Sequence, residues 1–225
     1  MKIAVLGTGT VGRVLARRLA ALGHDTTVGT RDPAATMART EADGMGTPPY
    51  AHWSAEHPTI ALATFADATG GAELVINASN GEATLDVLRQ AGAENLAGKV
   101  LVDVSNPLDF SAGFPPSLSV SNTDSLAEQI QREFPETRVV KSLNTMNADL
   151  MVDPASLGAE STVFVSGDDA DAKATVTALL ESFGHTDVID LGGITTARVP
   201  EMMLPAWLRL MGSLGNAKFN FKVVR

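Results

Sequence analysis

The chain has 225 residues, a net charge of −9 and no cysteine, which suits one large domain or a domain with a small extension. The acidity disfavours nucleic acid and anionic membranes as main partners, and the missing cysteines exclude disulfides, thiolate nucleophiles and cysteine metal sites. Because no apolar run reaches the ~18 residues of a membrane span and the first predicted strand begins at residue 2, we expect a cytoplasmic protein without a signal peptide.

Predicted strands and helices alternate along the chain. Apolar runs predict strands at residues 2–6, 26–30, 60–65, 73–78, 99–104, 138–142, 161–166 and 186–190. Helical spacing and capping residues predict helices at residues 11–22, 33–39, 82–91, 124–134 and 168–183. This alternation predicts an α/β fold of the Rossmann type, with right-handed crossovers and a doubly wound parallel sheet.

A glycine-rich turn joins the first strand to the first helix. Its sequence, GTGTVG, comprises Gly7, Thr8, Gly9, Thr10, Val11 and Gly12. In a dinucleotide-binding fold the first glycine makes the tight turn, the second lets the backbone approach the pyrophosphate, and the third lets helix and strand pack closely. Because the amides of the helix N-terminus can bind phosphate, these six residues are predicted to bind a dinucleotide.

The end of the second strand indicates which dinucleotide is bound. An acidic residue there would accept a hydrogen bond from the ribose 2'-hydroxyl of NAD and repel the 2'-phosphate of NADP. This chain instead has Thr30, which offers a hydroxyl, and Arg31, whose guanidinium suits phosphate oxygens. The predicted cofactor is therefore NADP(H).

Two later strands also end in polar turns. Ala78, Ser79 and Asn80 close the strand at 73–78, and Asn106 follows the strand at 99–104. Since the carboxyl ends of parallel strands share one edge, we expect the first three to contact the ribose and nicotinamide, and Asn106 to touch ligand. The alternatives are a helix N-cap at Ser79 or Asn80 and an ordinary β-turn at Asn106.

The remaining segments define the predicted domain organisation. Residues 43–58, rich in glycine, proline and polar residues, predict an irregular surface loop, and 109–121 predict a loop or lid. Residues 195–215 carry methionines, leucines and a tryptophan at helical spacing and predict a C-terminal cap helix. We expect an NADP-binding domain at 1–150 and, packed on the same core, an extension at 151–225.

The cap helix also predicts the oligomeric state. Met202, Met203, Trp207 and Met211 fall on one stripe of this helix. A sheet that already carries helices on both faces cannot cover all of them, so we expect a homodimer.

No acid–base pair or nucleophile stands out, so no catalytic residue is assigned. The four histidines, at positions 24, 52, 57 and 185, fall in turns or loops without metal-ligand spacing. We therefore expect ordinary surface roles for them and no metal site.

The chain resembles the coenzyme F420-dependent NADP oxidoreductases in three segments, which are GTGTVG at 7–12, VGTR at 28–31 and ARVPEMMLPAWLRLMGSLG at 197–215. The resemblance implies hydride transfer between NADPH and a soluble deazaflavin, coenzyme F420, as the small-molecule acceptor. It also implies that Thr8, Thr30 and Arg31 contact the 2'-phosphate. The implied residues near the deazaflavin are Asn144, Thr145, Met146 and Leu204.

Several positions depart from the family pattern. The family tends to have a histidine where this chain has Asn144, a threonine in place of Leu204 and a lysine near Ala35. The segment 43–58 resembles an insertion. These departures concern the acceptor side more than the cofactor side.

Two other functions stay open at this point. One is an NADPH-dependent reductase of another small molecule, such as an imine, a ketone or a chelated metal ion. It would need a proton donor, for which Asp103, Asp149 and Asp153 are candidates. The other is a non-catalytic NADPH-binding redox sensor.

Overall fold

The computed structural model describes residues 1–44 and 46–225. The strands in this part of the chain are β1 (Lys2–Leu6), β2 (Asp25–Thr30), β3 (Ala61–Thr64), β4 (Leu74–Asn77), β5 (Val100–Asp103), β6 (Leu108–Asp109), β7 (Ser117–Leu118), β8 (Arg138–Ser142), β9 (Thr162–Ser166) and β10 (Asp187–Asp190). The α-helices are α1 (Thr10–Ala21), α2 (Pro33–Ala38), α3 (Tyr50–Glu56), α4 (Phe65–Gly70), α5 (Thr84–Ala91), α6 (Ala93–Leu96), α7 (Leu126–Glu133), α8 (Ala148–Val152), α9 (Ala170–Phe183), α10 (Arg198–Met202) and α11 (Leu204–Leu214). Short 3₁₀ helices span Gly81–Ala83, Pro154–Leu157 and Ile194–Ala197.

Eight strands form one sheet in the order β10-β9-β8-β5-β4-β1-β2-β3. The six strands from β8 to β3 in that order are mutually parallel, as predicted. The chain moves outward from β1 through β2 to β3 and then returns to β4 on the other side of β1. This reversal places a topological switch point beside β1, where the fold binds ligands.

One pair of strands departs from the predicted parallel sheet. β9 runs antiparallel to β8, with Lys141 opposite Ser166. The five residues of α8 rise only about 7.5 Å, which is too short to return the chain to the edge where β8 began. The next strand therefore starts near the carboxyl end of β8 and runs back, and α9 then places β10 parallel to β9.

Two hydrophobic cores lie on opposite faces of the sheet. Successive side chains of β1 point to opposite faces and so contribute to both cores. Ile3 and Val5 belong to one core, and Ala4 and Leu6 belong to the other. α1, α8 and α9 cover the first face, and α4, α5 and α7 cover the second. Helices on both faces confirm the predicted doubly wound fold.

The segment 43–58 is not irregular throughout, so this prediction was wrong for α3. Tyr50 is fully buried and belongs to the core on the α1 face. The Trp53 ring lies 5.2 Å from that of Tyr50 and stacks on His57 at 4.5 Å. Aromatic burial at helical spacing therefore outweighs the flanking glycines and prolines; Met45, in the same predicted loop, lies outside the described residues.

Other predicted boundaries also changed. The predicted loop at 109–121 contains β7 and part of β6, which pair as a two-residue antiparallel ladder. The sequence did not predict α4 and α6. The predicted cap helix at 195–215 is divided into a 3₁₀ turn, α10 and α11, because Pro205 stands in the first turn of α11 and has no amide hydrogen to continue α10.

Glycines at the first turn are required by close backbone contact. Gly7 has a φ of 130°, and a Cβ there would lie 2.6 Å from the Ala78 carbonyl oxygen. A Cβ on Gly12 would overlap the carbonyl oxygen of Gly7, whereas one on Gly9 would meet no atom within 4 Å. Gly12 thus sets how closely α1 packs on β1, and Gly9 faces open space.

We predict that Gly12→Ala lowers the free energy of unfolding by about 1–3 kcal/mol, because the added methyl group must displace the Gly7 backbone. Gly9→Ala is the matched control and should cost at most about 1 kcal/mol, as a loss at a helix N-cap. Urea unfolding of both variants measures the difference. Equal stability of the two variants would contradict the packing role of Gly12.

Candidate active site

The polar turns predicted from the sequence meet at one edge of the sheet. β2, β1, β4 and β5 are consecutive neighbours, and their carboxyl ends carry the glycine turn, Thr30, Ser79 and Ser105. The turns after β4 and β5 touch, because a Cβ on Gly81 would overlap the backbone carbonyl of Asn106. The predicted crevice is thus assembled from adjacent strand ends.

The glycine turn presents backbone donors at this edge. Gly9 is the N-cap of α1 in an extended conformation, and the amide of Arg13 donates to its carbonyl at 3.0 Å. The amides of the preceding residues in the first turn have no acceptor within the helix. A 12-residue helix also places partial positive charge at this end. With open space at Gly9, the turn fits a dinucleotide pyrophosphate.

The end of β2 combines a buried hydroxyl with an exposed cation. Thr30 is buried, and its Oγ1 lies 2.8 Å from Oγ1 of Thr36. Arg31 is exposed. The nearby acid, Asp32, caps α2 by accepting from the amide of Ala35 at 2.9 Å. This carboxylate is therefore engaged in helix capping, and the surface at the end of β2 suits a phosphate.

Helix capping accounts for part of the β4 turn. The Oδ1 of Asn80 accepts from the amide of Glu82 at 3.2 Å, which confirms the capping alternative for this residue. The Oγ of Ser79 donates to Oδ1 of Asn77 at 2.6 Å. Ser79 is half-buried and Asn80 is exposed, so both side chains also border the crevice. Their contact with ribose and nicotinamide stays a prediction.

A buried charge network lies beneath these turns. The in-register row across the sheet brings Asn77, Asp103 and Lys141 side by side. Nδ2 of Asn77 donates to Oδ1 of Asp103 at 2.8 Å, and Nζ of Lys141 lies 2.7 Å from Oδ2 of Asp103. Nζ of Lys141 is also 3.0 Å from Oε1 of Glu201 in α10. Each of the three charged side chains is at most 1% exposed.

Donors from other elements complete the network. Oγ of Ser105 donates to Oδ1 of Asp103 at 2.7 Å. The amides of Leu126 and Ala127 at the start of α7 donate to the Glu201 carboxylate at 2.8 and 3.2 Å. These donors and the α7 dipole compensate the second negative charge. The network therefore connects α10, which begins the C-terminal cap of α10 and α11, to the carboxyl ends of β5 and β8.

Burial and charge act in opposite directions on Lys141. Burial alone would lower the pKa of its ammonium group, but the carboxylates of Asp103 and Glu201 outweigh burial and raise the pKa above the ordinary lysine value. Because the folded pKa is the higher one, the ammonium stabilises the fold fully below the unfolded pKa of ~10.4. That contribution is lost only as the pH rises through the folded value.

The predicted acceptor residues lie inside the molecule. Asn144, Thr145, Met146 and Leu204 are each at most 5% exposed. Nδ2 of Asn144 donates to Oδ1 of Asn106 and to the Pro200 carbonyl, both at 2.9 Å. Asn144 thus joins the β5 turn to α10. Contact of these four residues with an acceptor stays a prediction. An acceptor can reach them only if α10 and α11 move or if it binds at the few exposed atoms of these side chains.

The remaining candidates are the three aspartates considered as proton donors and the histidines expected at the surface. Asp103 is engaged by Asn77, Ser105 and Lys141, which leaves it unsuited to donate a proton to an acceptor. Asp149 and Asp153 are exposed on and just after α8. His185 contradicts the expected surface role: it is 3% exposed and its Nε2 lies 3.0 Å from the Met151 carbonyl.

Sequence reasoning missed the buried charge network. Lys141 stands in the otherwise apolar core of RVVKS, and Asp103 ends the apolar run VLVD. A charge inside each of two buried strands was the available signal. Glu201, in a helix 60 positions further along, gave none, because only the fold brings it to Lys141.

Within residues 1–44 and 46–225, no cluster of three or more His, Cys, Asp or Glu side chains is arranged to hold a metal ion. No helix in the same residues is long and apolar enough to span a membrane.

Comparisons with known proteins place these features in context. The family model described as NADP oxidoreductase coenzyme F420-dependent matches residues 2–107. The F420-dependent NADP reductase of Methanothermobacter marburgensis is 30% identical over 216 residues, which are 93% of this chain and 92% of that protein. A crystal structure of a candidate F420-dependent NADP-reductase from Arthrobacter sp. FB24 is 63% identical, with a TM-score of 0.95 and complete coverage of both chains.

A second relative has a different acceptor in its name. The metalloreductase STEAP3 of Rattus norvegicus is 31% identical over 212 residues, or 92% of this chain. The chain spans 38% of the length of that protein.

We predict that Lys141→Met lowers the free energy of unfolding by about 3–5 kcal/mol at neutral pH, because it leaves two carboxylates buried without a cation. The loss should shrink as the pH falls, since protonation removes the unpaired charges. Lys173→Met is the matched control; its partner Asp190 is half-exposed, so the cost should be at most about 1 kcal/mol. Denaturant unfolding at several pH values measures both. A small, pH-independent loss in Lys141→Met would contradict the network.

Proposed function

The chain belongs to the coenzyme F420-dependent NADP oxidoreductases, and we propose that it transfers a hydride between NADP(H) bound at the carboxyl edge of the sheet and a deazaflavin coenzyme stacked beside it. The observation that carries this proposal is the glycine turn with open space at Gly9, next to Thr30 and Arg31, in a chain 30% identical to a named F420-dependent NADP reductase. The chain is an NADP-dependent oxidoreductase by family.

The cofactor side of the proposal assigns one role to each turn. Gly7, Gly9 and Gly12 shape the turn, and the amides around Thr10 and Val11 bind the pyrophosphate. Thr8, Thr30 and Arg31 bind the 2'-phosphate. The ribose and nicotinamide lie against the β4 and β5 turns, at Ala78, Ser79, Asn80 and Asn106. In this assignment residues 1–150 bind the nucleotide.

The acceptor side is formed by residues 151–225 together with the turn after β8. We assign Asn144, Thr145, Met146 and Leu204 to it, with the cap of α10 and α11 closing over the acceptor. The bound nicotinamide and deazaflavin supply the redox chemistry. The chain itself holds the two rings together, orients them and excludes water, which needs no nucleophile or acid–base pair.

A homodimer is part of the proposal. Of the stripe predicted from the sequence, Met202 is 36% exposed and Met203, Trp207 and Met211 are half-buried, and we propose that a second copy of the chain covers these residues. Light scattering at micromolar concentration should give a dimer. A monomer would contradict the assignment.

We predict that NADPH binds at least about tenfold more tightly than NADH, because a charge-assisted phosphate contact contributes about 1.5–3 kcal/mol when partly shielded from water. Arg31→Ala should remove most of this difference while leaving NADH affinity unchanged. Arg132→Ala, an exposed arginine on α7, is the control. Calorimetric titration with both cofactors measures the ratio, and equal affinities in the wild-type protein would contradict NADP specificity.

The acceptor is tested by turnover. NADPH oxidation should be fast with purified oxidised deazaflavin and absent or slow with an imine, a ketone or a ferric chelate. Asn144→Ala leaves Oδ1 of Asn106 and the Pro200 carbonyl without this donor, so it should raise KM for deazaflavin by a larger factor than it weakens NADPH binding. Asn144→His, which restores the family residue, should preserve or raise the rate.

Two outcomes would replace the proposal. Turnover with a ferric chelate, an imine or a ketone but not with deazaflavin would make the chain a reductase of another small molecule. Tight NADPH binding without turnover on any acceptor would make it a redox sensor.

A further inference from the structure

The segment at residues 47–57 packs against the amino-terminal end of α1. Tyr50 is fully buried there, and Trp53 and His57 extend the aromatic packing outward. A second tie is the 3.1 Å contact between Oγ1 of Thr47 and Oγ1 of Thr10. The segment therefore contacts the helix end that carries the phosphate-binding amides.

Arg13 connects this segment to the glycine turn. The residue is only 8% exposed, and its Nε donates to the Thr8 carbonyl at 2.7 Å. The guanidinium carbon lies 5.3 Å from the centre of the Tyr50 ring, within cation–π range. One side chain thus contacts both the backbone of the turn and the aromatic core of the segment.

The electrostatic setting of Arg13 is unfavourable by itself. Burial lowers the pKa of its guanidinium and Arg39 adds to this, while Tyr50 and Asp43 oppose it. Burial also raises the pKa of Tyr50 to about 12, so its ring stays neutral. An apolar side chain would fill this position without a desolvation cost. The charge of Arg13 is used in its contacts with the Thr8 carbonyl and the Tyr50 ring and in its attraction to Asp43.

The orientation of the Thr8 carbonyl affects how the glycine turn can bind a pyrophosphate. Rotation of the peptide between Thr8 and Gly9 would turn a carbonyl oxygen toward a bound pyrophosphate in place of an amide. Gly9 has no Cβ to oppose that rotation, and its surroundings are open. The hydrogen bond from Arg13 fixes the orientation of this carbonyl and opposes that rotation. It also keeps a positive charge beside the turn.

We propose that Arg13, held by Tyr50, is a positioning residue for the pyrophosphate shared by NADPH and NADH. The inference rests on the proposed function, because it presumes a dinucleotide at the glycine turn. It differs from the role of Arg31, which concerns the 2'-phosphate found in NADPH alone. Loss of Arg13 therefore weakens the binding of both NADPH and NADH, whereas loss of Arg31 weakens the binding of NADPH alone.

The test measures dissociation constants of NADPH and NADH by calorimetry, with melting temperatures of every variant. Arg13→Met should weaken the binding of NADPH and of NADH about tenfold or more each, as expected for a charge-assisted hydrogen bond, whereas Arg31→Ala leaves NADH affinity unchanged. Arg17→Met removes the same charge from an exposed position one turn further along α1 and should change neither affinity more than about twofold. Tyr50→Phe keeps the ring and should bind like the wild type.

Three results would overturn the proposal. Arg13→Met could bind both cofactors within twofold of the wild type, it could change only the ratio, or Arg17→Met could lose as much affinity as Arg13→Met. If Arg13→Met does not fold, Thr47→Val, which cuts the second tie, takes its place and should weaken the binding of both cofactors. Unchanged affinity in Thr47→Val would then count against the proposal. A wild-type protein that binds neither cofactor would instead refute the proposed function.

Discussion

The arrangement of the active-site edge depends on the buried ion pairs of Lys141 with Asp103 and Glu201. Parallel register places Asp103 beside Lys141, and α10 supplies Glu201 from above the sheet edge. The energetic cost of burying three charges is offset only when every partner is present, so the network fixes the distance between β5, β8 and the cap. The β5 turn that carries Asn106 and the helix α10 that precedes Leu204 are thereby connected through buried side chains.

The polar groups at the carboxyl edge of the sheet are of two kinds, buried and exposed. Groups below the surface, such as Asn77 and Asp103, bond to one another and hold the strand ends in register. Groups at the surface, such as the first-turn amides of α1 and the guanidinium of Arg31, remain available to a ligand. In the proposed function these exposed groups bind the phosphates, and both redox centres belong to the bound coenzymes. That proposal requires no catalytic acid or base from the chain itself.

The fold and the meeting of the polar turns at one edge of the sheet could be predicted because they rest on local signals. The glycine turn and the alternation of elements are each encoded within a few residues, and the structure agrees with them, although several strands are one or two residues shorter than predicted. The antiparallel β9, the helix α3 and the pairing of Glu201 with Lys141 could not be predicted. Each depends on a contact between distant segments: the reach of α8, the burial of Tyr50 against α1, and the approach of the cap to β8. The glycine, proline and polar residues at 43–58 even predicted an irregular loop where the structure has α3.

We propose that hydride passes directly between two coenzymes bound at this edge of the sheet. The most direct test uses NADPH deuterated on one or the other face of the nicotinamide C4, with oxidised deazaflavin and purified protein, and mass spectrometry of the product. We expect deuterium in the reduced deazaflavin from one of the two labelled cofactors. We expect no deuterium from heavy water at the deazaflavin carbon that accepts the hydride. Reduced deazaflavin without label from either cofactor, or no reduction at all, would contradict it.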